Sequence, residues 1–252
     1  MKLKFSAISL NSCNGCISTL TCLDVFLNLV KSAEIVYFPF VEDSYPATIK
    51  EDEELKYSDV TLVEGCVTQK DEEILLKKLR KASKKIIALG ACAMFGGIES
   101  LSQNARRDPL SKIIEIDGCI PGCPPPENVL GASILSLIEG RNLPEASRNL
   151  CAVCDLRPKL EKFKTIRIEK LQPQKFPTSC FLDENVLCLG PVTREGCDAK
   201  CIKVGLPCEG CMGPPNGLDY TANVINFLST LELSEKLRTY EGIIFRLRRP
   251  RT

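Results

Sequence analysis

The chain has no histidine and no tryptophan, and aromatic residues make up only 6% of its 252 positions. Without imidazole it can form no mixed cysteine–histidine zinc finger, no Rieske centre, no histidine-held haem and no histidine-based triad. It contains no run of 18 apolar residues, so no membrane span is expected. With 33 basic and 32 acidic residues, the net charge is +1, which draws it neither to nucleic acid nor to an anionic membrane. The opening MKLKFSAISL is basic and then apolar, but its apolar stretch is too short for a secretory signal. A twin-arginine start is also missing. A cytoplasmic protein is expected.

Cysteine is present in excess, at fifteen residues. A disulfide scaffold is the weaker reading, because such scaffolds are short and exported while this chain is 44% hydrophobic and can build a full-sized core. Thiolates are soft ligands for iron–sulfur clusters and zinc. The composition therefore points to metal–thiolate centres.

Patterning divides the chain in two. Over 1–140, strand and helix signals alternate. Strands are expected at Leu3–Ser9, 34–40, 59–63, 84–89 and 112–117. One helix is expected after Cys16, with Leu20, Leu23, Leu27 and Val30 on its inner face. Further helices are expected over 69–82, bearing Ile74, Leu75 and Leu79, and over 128–139, opened by proline. Alternation of this kind predicts an α/β fold with a parallel sheet. Over 141–252 the periodicity fails. A polar linker at 142–149 leads into eight cysteines between Cys151 and Cys211, a stretch that needs metal to hold it. Helical spacing returns over 218–249, before a basic end with Arg246, Arg248, Arg249 and Arg251 that reads as a solvated terminus. The acidic run Glu51–Glu54 reads as a solvated helix start.

The amino-terminal cysteines fall just past the carboxyl ends of the expected strands: Cys13 and Cys16, Cys66, Cys92, then Cys119 and Cys123. That edge of an open α/β sheet is where ligands bind. Alone, the Cys13-Asn-Gly-Cys16 pair also suits half a zinc site or a redox dithiol, with Gly15 easing the turn. Its companions GACAMFGG around Cys92 and PGCPPP around Cys123 place glycine and proline beside each thiol, which lets backbone approach a bulky cluster. The last eight cysteines run C-x2-C-x25-C-x7-C and then C-x3-C-x6-C-x2-C, four and four. This is not the bacterial ferredoxin spacing. By spacing alone, a pair of all-thiolate zinc sites remains open.

The set CNGC, VEG, GACAMFGG and PGCPPP resembles the small subunit of nickel–iron hydrogenases and, more distantly, the 20-kDa subunit of respiratory complex I, which lacks the second cysteine-rich region. CLGPVTREGC and PCEGC are most similar to cytosolic group-3 enzymes. The resemblance implies a flavodoxin-like domain over 1–140 with a proximal [4Fe–4S] cluster on Cys13, Cys16, Cys92 and Cys123. It implies a smaller, irregular domain over 141–252 with a distal cluster on Cys151, Cys154, Cys180 and Cys188 and a medial one on Cys197, Cys201, Cys208 and Cys211. Cys151 stands where the periplasmic type has histidine. Four medial cysteines instead of three imply [4Fe–4S] there as well. The implied role is electron relay through three clusters, between a nickel–iron large subunit and a flavin- or iron–sulfur-containing acceptor subunit, with no catalytic residue on this chain. Cys66 is read as a non-ligating neighbour of the proximal cluster in preference to a replacement or supplementary ligand, and Glu64 as a proton or hydrogen-bond partner near it or, equally, an ordinary solvated carboxylate. Cys22 is expected buried in a helix, and Cys119 near the cluster pocket.

Overall fold

The computed structural model describes residues 2–38, 54–97, 106–159, 178–216 and 220–231. The acidic run up to residue 53, the end of the second expected strand and the basic terminus lie outside them. The chain divides into two compact units, Met1–Pro144 and Glu145–Thr252.

Unit 1 is built on five parallel strands: β1 (Leu3–Ser9), β2 (Ala33–Tyr37), β3 (Ser58–Glu64), β4 (Ser83–Leu89) and β5 (Gly118–Ile120). Their order is β2-β1-β3-β4-β5, the flavodoxin-type winding, whose direction reverses between β1 and β3. Side-chain alternation divides the core between two faces. Phe5, Ala7, Val60, Leu62, Ile87 and Leu89 pack under α1 (Gly15–Thr21), α2 (Asp24–Ser32) and α5 (Glu127–Ile138). Ile8, Val63, Ile86 and Ala88 pack under α3 (Lys70–Ala82) and α4 (Gly90–Phe95).

Several expectations are corrected. The single helix after Cys16 is two helices bent by 81°, because the chain leaves helical geometry at Leu23 (ψ 144°) and Asp24 opens the second. Leu20 is buried as expected and Leu23 packs on the core, but beyond the break Leu27 is 60% and Val30 42% exposed, while Val25 and Leu29 take the buried positions. Cys22 caps the end of α1 and is exposed. The last strand is 118–120, not 112–117. Ile113, Ile114 and Ile116 are apolar because they pack on the core around a 3-10 turn at Leu110–Lys112, without pairing. Cys119 therefore lies inside β5, opposite Ala88 and packed towards the α3 side, and not beyond the strand end.

Unit 2 has little regular structure. Among the described residues it contains 3-10 turns at Leu150–Val153 and Gly190–Val192, the short α6 (Lys200–Lys203) and α7 (Tyr220–Ser229). Its core mixes Leu150, Phe181, Leu182, Val192, Val224 and Phe227 with the buried thiols Cys154, Cys180, Cys188 and Cys208. No single helix among the described residues is long and apolar enough to cross a membrane, although α1 and α2 together pass as a bent pair.

Candidate metal–thiolate sites

Pairing of β1 with β3 from Phe5↔Val60 to Ser9↔Glu64 brings the loops after both strands together at the reversal point. Cys13 comes from the first loop and Cys16 from the first turn of α1. Cys92 arrives on α4 after β4, and Cys123 from the turn after β5. Burial, then Glu64, then the neighbouring thiols Cys92, Cys123 and Cys13, in that order, push the Cys16 thiol far above its ordinary value. Burial and Cys13 push up Cys123. Three separate chain segments thus deliver four mutually felt thiols to one rim, and Cys13 and Cys123 are exposed at its edge.

The glycines there make room for something larger than a side chain. Gly90 has φ +81°, and a Cβ on it would lie 2.4 Å from Cys16 Sγ. Gly97 has φ +67°, and its Cβ would lie 2.5 Å from Cys92 Sγ. The left-handed residue of the CNGC turn is Asn14 (φ 59°), not Gly15 as the composition of the turn suggests. Asn14 tolerates that region through its short polar side chain.

Glu64 ends β3 and is 1% exposed. Its Oε1 accepts from Ser9 Oγ at 2.5 Å and Ser12 Oγ at 3.2 Å, and its Oε2 accepts from the Ile17 N–H at 3.1 Å. A buried carboxylate therefore stitches the CNGC loop to the sheet. From α3, Glu72 Oε1 accepts from the Asn11 N–H at 2.8 Å and Oε2 from Gln69 N–H at 3.0 Å, so the cap of α3 also anchors this loop. Sequence reasoning missed Ser9, Ser12 and Glu72. Gln69-x-x-Glu72 follows the capping-box spacing and was a usable signal for the last. Cys66 is 2% exposed and bridges back to Asn11, its N–H donating to the Asn11 carbonyl at 3.1 Å.

In unit 2, Cys151, Cys154, Cys180 and Cys188 line a small cavity whose other walls include Leu150, Phe181, Leu182 and Ile202. Burial, then Cys188, Cys180 and Cys154, push the Cys151 thiol up to about 12. Burial pushes Cys188 up to about 11, against the N–H groups of Gly190 and Cys208. Burial also raises Cys180, against the N–H groups of Leu182 and Asp183. Burial thus raises Cys151, Cys180 and Cys188 alike, and a metal bound there must displace their protons.

The remaining four are seen as two pairs. Burial and then Cys197 and Glu209 raise Cys201. Burial, then Cys188, push Cys208 well up, opposed by the Thr193 hydroxyl and the Gly210 N–H, with Cys211 adding to the rise. Cys201 is exposed and Cys208 buried. The Cys208 N–H donates to Cys188 Sγ at 3.3 Å, so this set touches the previous one directly. The C-x3-C loop runs through two left-handed residues, Asp198 and Ala199, both at φ 52°.

Among the described residues no three Cys, Asp or Glu side chains close tightly enough to share one metal ion. A tetrahedral zinc with 2.3 Å bonds needs sulfurs about 3.8 Å apart. The all-thiol donor sets are chemically suited to soft metal–thiolate centres such as iron–sulfur clusters.

A family model described as "NADH ubiquinone oxidoreductase, 20 Kd subunit" matches residues 13–137. A vhu-type F420-non-reducing hydrogenase subunit of Methanocaldococcus jannaschii is 30% identical, over 94% of this chain and 93% of its own. The chain belongs to the nickel–iron hydrogenase small-subunit family. This small subunit is also 30% identical to the delta subunit of sulfhydrogenase 2 from Pyrococcus furiosus, over 94% of one chain and 99% of the other. Among solved structures, the [NiFeSe] hydrogenase from Desulfovibrio vulgaris Hildenborough superposes with a TM-score of 0.61 at 19% identity, covering 86% of this small subunit and 95% of that chain. The actinobacterial-type NiFe-hydrogenase from Ralstonia eutropha H16 gives 0.59 at 15%, covering 90% and 89%. These two bear on the fold alone, and they agree with its α/β architecture. As a hydrogenase subunit, the chain is a component of an oxidoreductase complex.

Proposed function

We propose that this small subunit relays electrons through three [4Fe–4S] clusters between a nickel–iron large subunit and a flavin- or iron–sulfur-containing partner in the cytoplasm. The observation that carries the reading is the ring of thiols around Cys16, assembled at the reversal point of the sheet from three separate segments. Cys13, Cys16, Cys92 and Cys123 would hold the proximal cluster. Cys151, Cys154, Cys180 and Cys188 would hold the distal one, and Cys197, Cys201, Cys208 and Cys211 the medial one.

When bound, each cluster supplies a centre that accepts and releases one electron. The chain's own residues set the terms. The exposed Cys13 and Cys123 put the proximal ligands at a surface open to a large subunit. Glu64 fixes the CNGC loop and keeps negative charge beside Cys16. The apolar walls around the Cys151–Cys188 set exclude water from it. Backbone N–H groups of Leu156, Gly190 and Cys208 point at its sulfurs and stabilise charge on them. Relatives named as F420-non-reducing hydrogenase subunits match both units, while the complex I family model stops at residue 137. That favours a hydrogenase wire over a nickel-free complex I-type subunit.

The test is anaerobic iron, sulfide, zinc and nickel analysis of the chain purified with its large subunit. The expected result is about twelve iron and twelve sulfide on this chain, nickel on the partner, and hydrogen-dependent viologen reduction. Zinc in place of iron overturns the reading, and full iron without hydrogen activity in a nickel-loaded complex removes the hydrogenase role.

A further inference from the structure

Arg194 lies between Cys188 and Cys197 and is only 8% exposed. Its own N–H donates to the Gly213 carbonyl at 2.8 Å. Its guanidinium donates from Nε to the Pro214 carbonyl at 2.6 Å and from Nη1 to Asn216 Oδ1 at 2.6 Å. The neighbouring Thr193 runs beside Gly210, where a Cβ would meet Thr193 Oγ1 at 3.6 Å. Residues 193–194 therefore lie along the segment that carries Cys211, and Arg194 precedes Cys197 by three positions. Leu150 N–H donates to the Thr193 carbonyl at 2.7 Å, and Glu195 N–H to the Arg148 carbonyl at 3.0 Å. The same stretch is thereby tied to the approach to Cys151.

A guanidinium is charged at every accessible pH, and a buried charge is felt more strongly than one in water. The potential of an iron–sulfur cluster follows its net charge, the hydrogen bonds to its sulfurs and its exposure. Reduction adds negative charge, so a fixed cation close by favours the reduced form. We propose that Arg194 is a positioning residue for the Cys197, Cys201, Cys208 and Cys211 set, clamping the segment before its first cysteine to the segment after its last, and that its buried charge raises the reduction potential of the cluster held there. This rests on the reading that those four cysteines bind a [4Fe–4S] cluster.

The experiment is an EPR-monitored redox titration of the complex containing wild-type, Arg194→Lys, Arg194→Gln or Asn216→Asp chains, each with iron counted. Arg194→Gln is expected to keep its iron and shift one cluster midpoint to a more negative value. Arg194→Lys, which keeps the charge but loses the fork, is expected to restore most of it. Asn216→Asp sets a carboxylate on the guanidinium without removing it and is expected to shift the same midpoint downward. It decides the matter if Arg194→Gln does not assemble. Unchanged midpoints in the Gln and Asp variants, or equal shifts in Lys and Gln, overturn the electrostatic role. A wild-type complex lacking a third cluster overturns the underlying reading, and the proposal with it.

Discussion

Gly90→Ala tests whether Cys16 is pinned by a cluster. The substitution meets two obstacles that can be separated. The first is backbone. At φ +81° an alanine pays about 1–2 kcal/mol for the left-handed region, less about 0.4–1 kcal/mol gained by restricting the unfolded chain. Gly140, at φ +67° with nothing within 4 Å of an added Cβ, meets this obstacle alone, so Gly140→Ala should destabilise by about 1 kcal/mol. The second is steric. The Gly90 Cβ would stand 2.4 Å from Cys16 Sγ and 3.4 Å from the Gly122 carbonyl oxygen. A free thiol can rotate away, whereas a ligating sulfur cannot, and overpacking of this kind costs about 1–3 kcal/mol. Gly90→Ala should therefore lose about 2–4 kcal/mol in total. Gly131, inside α5 with open space around its added Cβ, should gain about 1 kcal/mol as alanine. In anaerobic melts of the complex, each 1 kcal/mol corresponds to about 2–4 °C for a chain of this size. The expected order is Gly131→Ala above wild type, Gly140→Ala slightly below, and Gly90→Ala well below with about four iron atoms lost per chain. If Gly90→Ala melts with Gly140→Ala and retains all its iron, Cys16 is not held in place and the proximal assignment fails.

Two further outcomes follow from unit 1. Cys66→Ser should keep the full iron complement, because the thiol faces the Asn11 carbonyl at 3.9 Å, whereas Cys13→Ser should lose about four iron atoms; iron loss in the Cys66 variant would make it a ligand. For Asp117, partial burial pushes its carboxyl up, but the Arg80 guanidinium and the Ile86 N–H outweigh this and hold it below the usual carboxylate range. The folded state thus binds that proton more weakly than the unfolded chain. Its contribution is present above the ordinary carboxylate value of about 3.9 and is lost as pH falls through the lower folded value. Asp117→Asn should melt lower at neutral pH, and the gap should close under acid; a constant gap refutes the assignment.

The parts of the fold legible from sequence are those where local pattern and tertiary role agree. The apolar runs of β1, β3 and β4 are buried on both faces of a parallel sheet, and α3 carries its charges outward. The break at Leu23 was hidden because Leu20, Leu23, Leu27 and Val30 keep a helical period across it. The isoleucines at 113, 114 and 116 misled because apolar character reports burial and not pairing. The cysteine sets could be grouped by spacing and resemblance. The supports of the first set could not, because Ser9 and Glu64 are 55 positions apart and meet only once β3 is laid beside β1. In unit 2 little period exists to read before residue 218, since its core is arranged around thiols.

The hydrogen bond from Cys208 N–H to Cys188 Sγ gives the two cysteine sets of unit 2 a common member. Cys208 belongs to one set through its sulfur and to the other through its amide, and its carbonyl is held by Leu189 N–H at 2.8 Å. Groups this close do not respond independently. A displacement of residue 208 is therefore passed to both sets at once, through its sulfur to one and through its amide to the other.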